Sequence, residues 1–135
     1  MATGSASALV LKFMDRINAA DVDGLCALMT EDHVFIDGLG NRLVGRESMR
    51  EGWKMYLSLF PDYRVSHEDL FEEHNTVAVF GTASATFAVS GQLAKENHWE
   101  VPAAWKALVR GNEIAEWRVY CDNQPARELM SNNQS

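Results

Sequence analysis

At 135 residues, 47% of them hydrophobic, the chain has the size of one domain and enough apolar material for a real core, which excludes a disordered segment. Its 12 Lys and Arg against 19 Asp and Glu leave a formal charge of -7, which repels phosphate backbones and anionic membranes and excludes nucleic acid as a natural partner. No apolar run approaches the roughly 20 residues of a membrane span and the first residues lack the blocks of a secretory signal, so a soluble cytoplasmic protein without membrane contact is expected.

The pattern predicts a single domain over residues 1–135, without repeat or linker, whose polar ends, residues 1–6 and 131–135, are loose. From Ser7 to Ala20, Leu9, Phe13, Ile17 and Ala20 recur at helical spacing and make the stripe of an amphipathic helix. Asp21 is placed to cap a short second helix carrying Leu25, Leu28 and Met29. A strand follows over His33 to Asp37, alternating His33, Phe35 and Asp37 against Val34 and Ile36, and then a glycine-punctuated loop, "GLGNRLVG". The third helix carries Met49, Trp53, Tyr56, Leu57 and Phe60. It starts at a capping box formed by Ser48 and Glu51, or else at Gly45, and Pro61 ends it.

Beyond Pro61 the chain reads as four strands, "YRVSHEDLFEE", "TVAVFGTASATFAVSG", "HWEVPAAWKALVR" and "EIAEWRVYCD". They are separated by turn signals at 74–75, from 90 and from 110. These predict an antiparallel meander, with a last turn of helix over 124–130. Helices first and sheet later is the α+β pattern. Long twisted strands curling around helices leave a hollow, and that is where a small ligand would sit.

Four tryptophans, Trp53, Trp99, Trp105 and Trp117, are many for this length, and a buried indole N–H calls for a partner. Cys26 and Cys121 stand far apart in apolar surroundings and read as buried thiols. His67, His74 and His98 fall in different elements, so neither a metal site nor a cofactor is expected.

The run "NAADVDGLCALMTEDHVFIDGLG", followed by "GRESM", "FPDYRV" and "EIAEWRVYCD", resembles the NTF2-like superfamily, in its SnoaL-like polyketide cyclase, ketosteroid isomerase and limonene-epoxide hydrolase branches. The resemblance spans nearly the whole chain. It implies a cone-shaped α+β fold, a curved antiparallel sheet wrapped around three helices with a central pocket, and a homodimer through the sheet.

Carried over residue by residue, Asp37 falls where the isomerases hold their general base, and His33 lies beside it on the same parity. The isomerase's tyrosine donor falls at Phe13, and its protonated acid falls near "AAW" at 103–105, so neither donor is matched. The hydrolase's aspartate, shared in position by the cyclase, falls at Val119. Its arginine and strand aspartate fall near Gly81 and Ala83, its tyrosine at Phe35 and its asparagine at Asp37.

The resemblance also points Trp117, Val119 and Cys121 inward, with Phe13, Phe35, Trp53 and Trp105 as aromatic walls and Asp37 and His33 as the ionisable groups. Two readings stay open. One is proton transfer, of isomerase or cyclase type, on a small and largely apolar carbonyl compound with Asp37 as base. The other is a non-catalytic dimeric module that binds a small hydrophobic molecule or serves as an interaction scaffold.

Overall fold

The computed structural model describes residues 5–89, 92–122 and 124–132. Of the ends expected to be loose, 1–6 and 131–135, residues 1–4 and 133–135 lie outside the described residues, as do Ser90, Gly91 and Asn123, whereas Ser131 and Asn132 belong to a last helix. Ser5 and Ala6 belong to a helix instead: the Ser5 hydroxyl accepts the Ala8 amide and caps α1, Ala6–Asn18. Its stripe, Leu9, Val10, Phe13, Met14 and Ile17, is buried.

Asp21 caps α2, Val22–Ala27, by accepting the Gly24 amide, as the sequence predicts. The first strand, β1, Met29–Ile36, begins four residues earlier than expected and ends one short of Asp37. The loop after it contains a further strand, β2, Arg42–Val44, antiparallel to β1. Three exposed residues carry no burial pattern, so only pairing defines this strand.

Helix α3, Arg46–Leu59, starts behind Gly45 rather than at the Ser48 box, and no side chain caps it. Gly45 holds φ at 108°, a conformation open to glycine. The helix ends at Phe60, one residue before Pro61.

The meander is present as β3, Arg64–Glu73; β4, Thr76–Val89; β5, Gln92–Arg110; and β6, Glu113–Cys121. The sheet order is β2-β1-β6-β5-β4-β3, antiparallel throughout except that β1 runs parallel to β6. On β5, Trp99, Val101, Ala103, Trp105, Ala107 and Val109 are buried at every second position, the mark of a sheet with one covered face. Their partners Ala85, Ala83, Val79 and Val77 on β4 are buried with them.

Bulges break the ladder between His67 and Asp69 and between Thr86 and Ala88, and such irregularities bend and twist a sheet. At the first, β3 lies so close that a Cβ on Gly81 would stand 1.8 Å from the Ser66 carbonyl oxygen. Glycine is therefore dictated there by backbone clearance. Helices α1 to α3 cover the concave face, and α4, Gln124–Asn132, lies across β4 and β5.

Candidate functional site

The sheet and α3 enclose a cavity of about 440 Å³. From α3 come Met49, Trp53 and Tyr56, with Phe60 at its end and Tyr63 beyond the turn. From the sheet come Phe35, Ala83, Trp99, Trp117, Val119 and Cys121, and from α4 Ala126, Arg127 and Met130. The residues around Asp37 and Leu43 form the mouth.

The aromatic walls hold one another. Tyr56 and Tyr63 meet edge-on at 5.0 Å between ring centroids, Tyr56 lies 4.9 Å from Phe60, and Phe60 meets Trp99 edge-on at 5.8 Å. The turn that reverses the chain between the two tyrosines is pinned to β4. Asp62 accepts the Thr86 amide at 2.7 Å and the Thr86 hydroxyl at 2.8 Å, and that hydroxyl in turn lies 3.0 Å from His98 Nδ1.

Burial pushes both phenols up, Tyr63 well above the ordinary tyrosine value, and burial raises the Cys121 thiol as well. Around neutral pH these groups are uncharged.

Asp37 lines the mouth, directly after β1. Its Oδ1 accepts the amides of Leu39 and Asn41, both at 2.9 Å, and its Oδ2 accepts Asn41 Nδ2 at 3.2 Å. The carboxylate thus organises the loop 37–41, as aspartate before glycine often does, while one oxygen retains open lone pairs.

The remaining expected residues divide into two groups. Phe35, Trp53, Trp117, Val119 and Cys121 line the cavity. Phe13, Trp105 and His33 do not: Phe13 packs 4.7 Å from Trp117, Trp105 stacks behind the same indole at 6.4 Å, and all three are sealed in the core. Period-two alternation gives the covered face of a strand but not how far along that face the hollow extends. His33 Nδ1 donates to the Ile114 carbonyl at 2.7 Å, tying β1 to β6, and burial lowers its pKa.

Partners for the indole N–H groups are fewer than expected: Trp53, Trp99 and Trp105 Nε1 are buried without one among the described residues. Sequence reasoning also missed Tyr63, Trp99 and Arg127 as lining groups. The "FPDY" turn signals that Tyr63 folds back toward Tyr56, whereas nothing local signals that α4 brings Arg127 to the mouth. Among the described residues, no group of three or more His, Cys, Asp or Glu gathers to hold a metal ion, and no helix is long and apolar enough to cross a membrane.

Comparison with known proteins follows from this geometry. A family model described as a SnoaL-like domain matches residues 10–117. No curated protein matches the chain. Among solved structures, a candidate SnoaL-like polyketide cyclase of Shewanella denitrificans superposes with a TM-score of 0.80 at 15% identity, covering 94% of this chain and 97% of that one. IdmH of Streptomyces antibioticus, named as a candidate polyketide cyclase, gives 0.76 at 20% identity over 94% and 99%. An NTF2-like protein of unknown function from Cytophaga hutchinsonii gives 0.67 at 18% identity over 90% and 93%. At these identities the likeness is one of fold: an NTF2-like cone.

Proposed function

The chain belongs to the SnoaL-like domain family, and from that premise we propose that its cavity binds a small, flat, largely apolar molecule of polyketide-like character. The observation that carries this is a hollow of about 440 Å³ walled by Phe35, Trp53, Tyr56, Phe60, Trp99 and Trp117. That size lies within the range of about 300–1,000 Å³ typical of small-molecule sites, and aromatic walls favour planar apolar rings. The candidate polyketide cyclases of the same fold support the ligand class.

A second reading, proton transfer by Asp37, is favoured by one observation. Asp37 is the one carboxylate in the described lining, and its Oδ2 accepts a single long bond. Three hydrogen bonds already commit the carboxylate to organising the loop 37–41. Ligand binding is therefore the primary reading and catalysis the secondary one.

Titrating tryptophan fluorescence with fluorene, a flat tricyclic hydrocarbon, tests the first. Saturable quenching is expected, weakened about tenfold or more in Val119→Phe, whose ring enters the hollow; quenching unchanged in that variant would place the ligand elsewhere. Deuterium exchange into a bound ketone tests the second, and exchange equal in wild type and Asp37→Asn would remove it.

A further inference from the structure

We infer that Tyr56 and Tyr63 together form a two-donor site for one acceptor oxygen, a ketone or quinone oxygen, on the molecule in the cavity. The inference rests on the cavity being a ligand site, and adds which functional group the ligand must carry and where it points.

Four observations carry it. Both tyrosines line the cavity, one from α3 and one from the residue just before β3. Neither phenol oxygen has a hydrogen-bond partner among the described residues, neither is fully sealed from solvent, and both residues line the hollow. The rings are in direct contact, meeting at 88° with centroids 5.0 Å apart. Finally, the pair is caged: Trp53 lies 6.3 Å from each ring, Trp99 6.4 Å from Tyr63, and Asp62 anchors the intervening turn to Thr86.

The chemistry follows from this arrangement. A phenol is both donor and acceptor, and the charged side chains of the lining, Asp37 and Arg127, belong to the loop after β1 and to α4 and not to the turn that carries the tyrosines. A hydrocarbon filling the hollow would strand two hydroxyls away from water, which is costly. A ligand oxygen with two lone pairs satisfies both at once, and rings fixed by their neighbours lose little entropy in doing so.

The carbonyl position is therefore a specificity determinant: among flat apolar molecules of one shape, the site selects those with an acceptor oxygen directed at the α3–β3 turn.

The test compares fluorene with fluorenone, which share a tricyclic frame and differ in one carbonyl. Wild type should bind fluorenone on the order of tenfold more tightly than fluorene, and the bound carbonyl's infrared stretch should move to lower wavenumber than in an apolar solvent. In Tyr56→Phe/Tyr63→Phe, with the fold checked by circular dichroism, fluorene should bind more tightly than to wild type because no hydroxyl is stranded, while the preference for fluorenone disappears and the stretch returns to its apolar-solvent position. Each single variant should lose part of the preference.

A preference and stretch unchanged in the double variant would overturn the donor pair and leave the cavity reading standing. Failure of both probes to bind wild type would overturn the cavity reading and the donor pair with it.

Discussion

Two ends of the same concave face are built from similar residues and come out opposite, one solid and one hollow. Under α1, Phe13 leans on Trp117 at 4.7 Å and Trp105 stacks on the same indole at an interplanar angle of 21°. Val10, Met14 and Ile17 complete a sealed core around them. Under α3 some rings meet edge-on, at 88° for Tyr56 and Tyr63, 89° for Trp53 and Tyr56 and 84° for Phe60 and Trp99, and others are tilted, at 41° for Tyr56 and Phe60 and 44° for Trp53 and Tyr63. These rings line the cavity and do not fill it. Trp117 is the partition, packed against Phe13 and Trp105 in the core and also lining the cavity. Emptiness here follows from how side chains meet and not from a shortage of large ones.

The sharpest way to break this comparison is to damage the solid end. Phe13→Ala should cost about 3–5 kcal/mol in urea unfolding, because neighbours sealed on every side cannot collapse into the gap. A loss below about 1 kcal/mol would mean that the α1 end is as loosely filled as the other.

An intermediate effect comes from making the same change at both ends. Val10→Phe, at a position with no exposure, should cost about 1–3 kcal/mol by overpacking. Val119→Phe has the hollow to enter and should stay within about 1 kcal/mol of wild type. Equal losses in thermal or chemical unfolding would abolish the distinction.

The smallest effect is electrostatic. His33 is buried at the solid end with its pKa lowered by desolvation, so below about pH 6.5 the unfolded chain takes up a proton that the folded chain refuses. Stability is therefore full above about pH 6.5 and declines as pH falls from there through the lowered folded-state value. The slope contributed by one such group is at most about 1.4 kcal/mol per pH unit. His33→Gln, which can still donate to the Ile114 carbonyl, should flatten it; an unchanged slope would assign the pH dependence elsewhere.

Much of the fold was legible in the sequence, because alternation on β5 and helical spacing on α1 report directly which face is covered. β2 was not, since it is three exposed residues defined by pairing with β1 alone. The site was legible in part. Phe35, Trp53, Trp117, Val119 and Cys121, expected to face inward, line the cavity, whereas Phe13 and Trp105 are buried in the core beyond Trp117. Depth is a property of how elements meet, which no single segment encodes. For the same reason Arg127 escaped notice: its helix reaches the mouth only once the strands have set the frame.

An open six-stranded sheet has two free edges, and unpaired edges invite another chain to add on. Both edges of this one are poor templates. At one side β2 offers only three residues. At the other, β3 carries Glu68, Asp69, Glu72 and Glu73, and its bulge between His67 and Asp69 breaks the regular spacing a new strand would need. Strand-by-strand growth is thus discouraged by the same irregularity that bends the sheet around its cavity. The exposed rings of Phe71, Phe80 and Tyr120 are not among the residues that line that hollow.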